Sequence, residues 1–500
     1  MANYYISSFF WSTLSKVLTA IVGFISVPLL LGYYGKADYG ILSLATACNG
    51  YMHLLDLGMN VGAVKFFSQW KAQGNIDKIY RVARTNITFY FIISLINIVG
   101  LLALAFEGEG FFAISHEQFL QLRICLLIIA IFSVFSWGAT TFNQLLIADK
   151  QITFTMQVQC LITLLKVVAI ALVFVANLTL TTYFLYITCF VALAFIPYAY
   201  KCKADGLIDS LKPAWYWEDF NIVLTFSLSI FFLSIFQVTA TQSRPILLGI
   251  FAQNGATAVA DFRIIEVVPQ FIIMLCGTFS GIFLPKTSEM VAKNDEAAMR
   301  EFAYKWTVYT TVITTIMCFP FILCAPEVLA AYVGKEYIYL SKWLIIWCIT
   351  VLIQMHTTPG NALVLAHGKT KSLVKITSIA CIGSMFLNAV LCKYYDVGSA
   401  VIAYFVYVLI IMGLYYMYFY KKLLHLSRLR MFRCFALPTS IALLCYIFVY
   451  LIPVSTSLYG DINERVTYIF VCVTKSMIWL ILYMAILQTT RIIDFKILRK

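Results

Sequence analysis

Long apolar segments recur along the whole of this 500-residue chain. A run of about 18 or more apolar residues is long enough to cross the hydrocarbon core of a bilayer as an α-helix. Hydrophobic residues make up 62% of the chain and charged residues only 12%, whereas a soluble domain carries about 25% charged residues and cannot bury so much apolar surface. The chain is therefore predicted to be an all-α integral membrane protein.

The apolar runs predict about fourteen transmembrane helices and no soluble domain. The first run lacks a charged segment before it and leads directly into the second, so it is not interpreted as a cleaved signal peptide. The predicted spans cover residues 9–31, 40–64, 85–106, 118–147, 153–175, 179–200, 222–251, 256–284, 303–325, 338–366, 372–392, 398–420, 435–454 and 466–490.

The basic residues predict the orientation of these spans. Of the 36 lysines and arginines, 25 fall in the connections after even-numbered spans or in the C-terminal tail. Only five fall in the opposite connections, which also carry several acids. Since cytoplasmic loops carry the excess of Lys and Arg, both termini are predicted to be cytoplasmic. The net charge of +13 follows from this topology, and no nucleic-acid partner is predicted.

An internal repeat runs through the first twelve spans. "VPLLLGYYG" (27–35) aligns with "RPILLGIFA" (244–252), which places Pro28 on Pro245 and Gly32 on Gly249 at an offset of 217. Two further matches, 74–81 with 293–300 and 142–151 with 360–369, keep nearly the same offset. Because the period contains six spans, an even number, both copies are predicted to enter the membrane in the same direction, with a transport site between them.

The repeat divides the chain into three predicted parts. Residues 1–205 form an N-terminal six-helix lobe, residues 206–425 form a C-terminal six-helix lobe, and residues 426–500 contribute two further transmembrane helices and a cytoplasmic tail. Two such parallel lobes are the parts that alternating access requires. The expected fold is thus two MATE-like lobes plus two C-terminal helices.

Several motifs resemble a known family. "VPLLLGYYGKADYGILSL" (27–44), "DLGMNVGAVKFFSQW" (56–70) and "LLIADKQ" (145–151), echoed by "LVLAHGKTK" (363–371), resemble the polysaccharide-transporter branch of the superfamily that also contains the multidrug and toxin extrusion (MATE) proteins. The resemblance is strongest to Wzx-type flippases of O-antigen and other repeat units, and it covers residues 1–490.

The resemblance implies a function. A flippase of this kind moves an undecaprenyl-pyrophosphate-linked oligosaccharide from the cytoplasmic to the periplasmic leaflet of the bacterial inner membrane. A lipid-linked oligosaccharide and membrane lipid are then the expected partners, with a polysaccharide polymerase and a chain-length regulator as further candidates. Coupling to H⁺ or Na⁺ is left open, and no cofactor or metal is expected.

Six basic residues lie within predicted spans, where a charge facing lipid costs about 2.5–3.5 kcal/mol. They are expected to face a hydrated cavity or partners, and a positively biased cavity would retain a pyrophosphate head group. Lys16 and Arg244 occupy similar places before the shared proline. Lys475 lies outside the repeat and is given a structural or lipid-groove role, so the candidate cargo-binding residues are Lys16, Arg244, Arg263, Lys166 and Arg123.

Each of these residues also has a structural explanation. Arg123 lies near the end of its span and could extend to the membrane interface. Arg263 and Glu266 are three residues apart, so they could form an ion pair, for which Asp261 could compete. Asp56 and Glu266 are the candidates for ion coupling, because a buried carboxylate changes protonation as its surroundings rehydrate. Each could equally be a charge held by a neighbouring Lys or Arg.

Two other functions compete with flipping. A multidrug antiporter would carry small cations and predicts acids in the cavity, whereas bases outnumber acids here. A membrane polymerase or glycosyltransferase would need a large external catalytic loop, and the predicted external connections are short. The chain contains no GxxxxGK[ST] motif for ATP and no other catalytic motif, so it is not predicted to be an enzyme.

Overall fold

The computed structural model describes residues 2–367, 371–451 and 464–490. Regular structure in these ranges is helical, without strands. The chain divides into two compact units, residues 1–260 (unit 1) and 261–500 (unit 2). The predicted tail from residue 491 onward and the connection 452–463 lie outside the described residues, as does Lys369 of the tenth connection.

Unit 1 contains eight helical elements and the start of a ninth, and the first of them, α1, is kinked at Gly35, where the backbone is not helical (φ 82°, ψ 170°). A short 3-10 turn at His53–Asp56 separates the first helix from the second. The helices are α1 (Ala2–Met52), α2 (Met59–Ala72), α3 (Ile76–Glu107), α4 (His116–Ala148), α5 (Ile152–Val175), α6 (Leu180–Ala192), α7 (Phe195–Ala204), α8 (Trp217–Phe251) and α9 (Gly255–Ala292), which continues into unit 2.

Unit 2 contains the rest of α9 and eight further helices. A 3-10 turn at Lys335–Leu340 precedes α12, and a π-helix at Tyr415–Leu423 follows α15. The helices are α10 (Glu296–Leu323), α11 (Ala325–Tyr332), α12 (Ser341–Met355), α13 (Thr358–Ala366), α14 (Lys371–Tyr395), α15 (Val397–Leu414), α16 (Arg428–Tyr450) and α17 (Glu464–Thr489).

The described helices confirm a multi-pass membrane protein. Eleven helical segments are long and apolar enough to cross a bilayer, and the first, Phe10–Asp56, covers the first predicted span and part of the second. Helices α8 and α9 occupy the seventh and eighth predicted spans. Each predicted span overlaps described helical residues, although the second is interrupted at residues 53–58 and residues 452–454 of the thirteenth lie outside the described ranges. The expected all-α membrane fold is confirmed.

Helices α1 and α5 lie side by side and are joined by side-chain hydrogen bonds along their length. Ser8 lies 3.3 Å from Thr153, Thr19 lies 3.3 Å from Thr163, and the Tyr33 hydroxyl donates to Asn177 over 3.1 Å. The partner numbers differ by 144 or 145 each time, so the two helices run in the same direction. This agrees with the prediction that both enter the membrane from one side.

Helix α8 packs on α1, α2 and α3, and glycines allow the close approach. A Cβ at Gly58 would lie 2.5 Å from the carbonyl oxygen of Ser227, and Gly58 has φ of 75°, which favours glycine. A Cβ at Gly62 would overlap the Ser227 hydroxyl. The seventh predicted span therefore belongs to the compact unit that contains the first two.

A partly buried ion pair joins the last described helix, α17, to α11 within unit 2. Lys475 of α17 lies 2.6 Å from Glu327 of α11, and the two side chains are 18% and 20% exposed. One turn further, Trp479 stacks on Phe319 of α10 at a centroid distance of 5.3 Å. These contacts give Lys475 a structural role.

Candidate functional site

The strongest candidate site in unit 1 is a break in the helix of the second predicted span. Helix α1 ends at Met52, the 3-10 turn follows, and Leu57 and Gly58 both adopt left-handed backbone angles before α2 begins. Such broken helices occur inside membranes where their free backbone groups line a cavity or are buried in protein. Asp56 sits at this break and accepts a hydrogen bond from the backbone N–H of Asn60 in the first turn of α2 over 3.2 Å.

A chain of buried side-chain donors leads to the Asp56 carboxylate. The Tyr90 hydroxyl donates to Asp56 Oδ1 over 2.5 Å, Gln144 Nε2 donates to the Tyr90 oxygen over 2.7 Å, and Asn86 Nδ2 donates to Gln144 Oε1 over 2.7 Å. Tyr90, Gln144 and Asn86 are each 0% exposed. Because every donor in the chain points toward Asp56, the arrangement stabilises the ionised carboxylate.

Aromatic rings form one wall beside this carboxylate. Trp137 of α4 stacks on Tyr90 at a centroid distance of 5.9 Å, and its indole also lies 5.2 Å from the His53 imidazole. His53 is exposed. The Asp56 site, defined here as Asp56, Tyr90, Gln144 and Asn86 with this wall, is suited to hold a small cation or a proton.

The candidate cargo-binding bases of unit 1 lie in different environments. Lys16 is exposed on α1, whereas Arg244 of α8 is only 4% exposed. The Arg244 Nε atom donates to the Ala240 carbonyl over 2.9 Å. Burying a guanidinium costs free energy unless it is fully hydrogen-bonded. Of the candidate cargo-binding bases in unit 1, Arg244 is the most buried and therefore has the largest desolvation cost.

The other two bases of unit 1 differ in their contacts. Arg123 donates from Nε to the Ala105 carbonyl near the end of α3 over 2.8 Å and lies over the rings of Phe106 and Phe119. These contacts fix it as a structural bridge between α3 and α4. Lys166 is half-buried on α5, and no salt bridge involves it among the residues that the structure describes.

In unit 2 the structure pairs Arg263 with Glu266. Arg263 Nη1 lies 2.6 Å from Glu266 Oε2, and Gln270 donates to the other Glu266 oxygen over 3.3 Å. Asp261 instead accepts from the Tyr339 hydroxyl, at 2.8 and 2.7 Å to its two oxygens. The ion pair that the spacing allowed is therefore present.

Four aspartates pair with basic side chains at the predicted cytoplasmic end of unit 1. Asp149 pairs with Lys71, Asp219 pairs with Arg81 at 3.0 Å, and Asp209 lies 3.6 Å from Arg84. Asp205 accepts from Gln151 over 2.6 Å and from Lys201 over 3.0 Å. These bonds, Gln151 first and Lys201 second, lower the pKa of the Asp205 carboxyl below its ordinary value.

The partners of Asp56 were not singled out in the sequence. Asn86 and Gln144 are amides inside otherwise apolar spans, where a polar group requires a partner. That signal marks them as members of some hydrogen-bond network. The sequence offers no comparable signal for Tyr90, since it is one of 31 tyrosines.

Several solved structures share the fold of this chain. They include a lipid II flippase and multidrug transporters.

Two of these structures match this chain with similar scores. The lipid II flippase MurJ, in an inward closed conformation, matches with a TM-score of 0.70 over 98% of this chain and 100% of its own, at 13% identity. An inward-facing multidrug resistance transporter of the MATE family, in the MOP superfamily, has a TM-score of 0.69 over 83% of this chain and 95% of its own, at 12% identity.

A third match is weaker but of the same kind. A MATE transporter from Vibrio cholerae has a TM-score of 0.53 over 84% of this chain and 99% of its own, at 13% identity. At these identities the comparisons show a shared MATE- and MurJ-like fold. No protein-family profile matches the chain, and no curated protein sequence matches it significantly.

Proposed function

We propose that the chain is a flippase that moves an undecaprenyl-pyrophosphate-linked oligosaccharide from the cytoplasmic to the periplasmic leaflet by alternating access. The product would supply O-antigen, capsule or exopolysaccharide synthesis. The observation that supports this most is the match to the lipid II flippase, which extends over 98% of this chain and so includes residues of the two C-terminal helices. The match to the MATE transporter leaves 17% of the chain uncovered.

The charges within the spans suit an anionic head group. Arg244 is almost fully buried, and Lys16 and Lys166 lie on helices of the same unit. Guanidinium and ammonium groups donate charge-assisted hydrogen bonds to phosphate oxygens, and a pyrophosphate head group would supply those acceptors. Arg123 bridges α3 and α4, and Arg263 pairs with Glu266. Arg244 is assigned to the cargo for its position before the shared proline and its burial, and Lys16 and Lys166 for their positions within the first and fifth predicted spans.

The Asp56 site provides the coupling step of this proposal. Its donors favour the carboxylate anion, so loading a proton or Na⁺ there would change the charge at the break between α1 and α2. Glu266 is the weaker coupling candidate, because Arg263 already neutralises it. The protein is a transporter rather than an enzyme in this account, with both termini in the cytoplasm of a bacterium and its polymerase and chain-length regulator as neighbours in the pathway.

A cation-coupled multidrug antiporter is the second candidate. The partly buried carboxylate of Asp56 and the match to the MATE transporter, with nearly the same TM-score, favour it. The two functions differ in cargo charge. Efflux of a cationic dye would identify the antiporter, whereas restored surface polysaccharide would identify the flippase.

Alanine variants in a flippase-deficient strain test the assignment of the bases. We expect Arg244→Ala to abolish restoration of surface polysaccharide, Arg244→Lys to restore part of it, and Lys16→Ala to reduce it at equal membrane level. Lys150→Ala, at an exposed connection, is the matched control and should keep full activity. Full activity in both alanine variants and in Lys166→Ala would exclude this set of bases from cargo binding.

A further inference from the structure

The connection between α15 and α16 carries an unusual excess of positive charge. No acidic residue occurs between Asp396 and Asp461, a stretch that includes the π-helix and all of α16. Six basic side chains lie within 13 residues of it, and all are exposed. These residues, called here the basic connection, are Lys421, Lys422, His425, Arg428, Arg430 and Arg433.

The basic connection lacks the counter-charges that unit 1 has at the same predicted side of the membrane. There, Lys71, Arg81, Arg84 and Lys201 each face an aspartate. By contrast, no member of the basic connection forms an ion pair with another residue that the structure describes. Orientation in the membrane requires only positive charge, so it does not explain why these four bases of unit 1 have aspartate partners whereas the basic connection has no ion pair among the described residues.

A hydrogen bond and a ring contact position two side chains of the basic connection, Arg428 and Arg430. Arg428 Nη2 donates to the Met417 carbonyl in the π-helix over 2.7 Å, and the guanidinium of Arg430 lies 4.4 Å from the centre of the Tyr304 ring. The backbone N–H of Ser427 donates to the Tyr304 hydroxyl over 2.9 Å. These two guanidinium groups are therefore held on the surface of unit 2, which lowers the entropy cost of binding a ligand to them.

Exposed apolar side chains lie among these charges. Met417 is 73% exposed, Leu429 60% and Phe432 49%. A small pocket beside them is lined by Leu423, Leu424, Leu426 and Leu363, with two histidines and Glu296 at its edge. The Glu296 charge is compensated, since Arg300 lies 2.9 Å from it.

Basic side chains mixed with exposed apolar ones match the chemistry of a lipid interface. Clusters of four to eight basic residues next to a transmembrane helix attract anionic lipids, and apolar neighbours enter the acyl boundary. A soluble phosphate would use the charges but not Leu429 or Phe432. We propose that the basic connection binds the head groups of anionic phospholipids, such as phosphatidylglycerol, in the adjacent leaflet. This site is separate from the proposed cargo path and does not depend on it.

The proposal can be tested with the purified full chain in detergent, by native mass spectrometry during lipid titration. The test variant is Lys421→Gln/Lys422→Gln/Arg433→Gln. The matched control is Lys150→Gln/Lys203→Gln/Lys212→Gln, which removes three exposed charges from the same predicted side in unit 1. Surface attraction changes affinity about five-fold for each basic residue, so the test variant should bind phosphatidylglycerol at least about ten-fold more weakly, and the control within about two-fold of wild type.

Three results would overturn the proposal. The first is equal loss in the test and control variants, which would mean a general charge effect. The second is equal binding of phosphatidylcholine and phosphatidylglycerol to the wild type. The third is displacement of the lipid by inorganic pyrophosphate at equal concentration, which would identify a soluble anion as the ligand. If the test variant does not fold, the wild type decides the matter, because a preference for phosphatidylglycerol that is unchanged by high salt would also refute the site.

Discussion

Replacement of Tyr90 by Phe tests whether the hydrogen-bond chain to Asp56 exists as described. The substitution removes one hydroxyl and leaves the ring stack on Trp137 in place. It deletes two hydrogen bonds, of 2.5 Å to Asp56 and 2.7 Å from Gln144, at a side chain that is 0% exposed. Both the carboxylate and the Gln144 amide then lose a partner inside the bundle.

The expected loss can be bounded. Hydrogen bonds between helices in membranes contribute about 0.6 kcal/mol on average, whereas a bond to a buried charge contributes about 1.5–3 kcal/mol. The Tyr90→Phe variant should therefore lose about 1–4 kcal/mol of folding free energy. Coupling should weaken as well, because the Asp56 carboxylate loses one of its two hydrogen-bond donors.

Tyr420→Phe is the matched control for this experiment. Tyr420 is also 0% exposed, but its hydroxyl has no hydrogen-bond partner in the described part of the chain. Removing that hydroxyl should leave stability unchanged or increase it. The assay is the melting temperature of both variants in detergent, together with the pH dependence of transport in vesicles. Equal melting temperatures and equal pH profiles for the two variants would refute the network.

Three further predictions follow from the described contacts. Gly40→Ala should destabilise the protein, because its Cβ would overlap the Ala256 carbonyl oxygen. Gly23→Ala, in the part of α1 before the kink at Gly35, meets nothing within 4 Å and should be neutral or stabilising; similar melting temperatures for both would contradict the close approach. Glu327→Gln and Lys475→Met should each cost about 1–3 kcal/mol, and the double variant less than their combined effect; additive losses in a double-mutant cycle would argue against the pair. The pKa of Asp205 is lowered in the folded state, so its contribution is present above the ordinary carboxyl pKa and is lost as pH falls through the lower folded value. Asp205→Asn should therefore lower the melting temperature at pH 7, with a difference from wild type that shrinks below about pH 4; a constant difference across this range would exclude the ionised carboxylate as its source.

Much of the fold could be predicted from the periodic apolar runs. Each predicted span overlaps described helical residues, and eleven helical segments are long and apolar enough to cross a bilayer. The apolar composition of a run shows such a segment because the bilayer sets the length that it must have. The break at His53–Asp56 could not be located this way. A hydropathy pattern averages over a whole segment, so a four-residue 3-10 turn inside the second span leaves no mark on it.

The candidate site was predictable only in part. The cost of burying a charge singled out Asp56, Arg244 and the Arg263–Glu266 pair, and the spacing of the last two allowed the ion pair that the structure contains. The hydrogen-bond partner of each buried charge could not be predicted. Tyr90 and Tyr339 are distant in sequence from the aspartates to which they donate. Nothing in the sequence distinguishes these two tyrosines from the others.

The lobe boundaries stay a prediction. The repeat assigns the seventh span to the second lobe, whereas in the structure α8 packs on α1, α2 and α3 within unit 1. An internal repeat indicates duplication of a sequence segment, whereas packing shows which helices are in contact in one conformation. The two descriptions answer different questions about the same helix.

The central claim is that the chain moves a lipid-linked oligosaccharide across the membrane. The test uses the purified chain in proteoliposomes that contain an undecaprenyl-pyrophosphate-linked oligosaccharide with a nitrobenzoxadiazole fluorophore on its sugar, which dithionite added outside reduces and bleaches in the outer leaflet only. The account predicts that label in the inner leaflet becomes accessible at a rate that depends on protein, and that Arg244→Ala abolishes this rate. Transport of a cationic dye by the same vesicles, with no movement of the labelled lipid, would contradict the account and identify an antiporter.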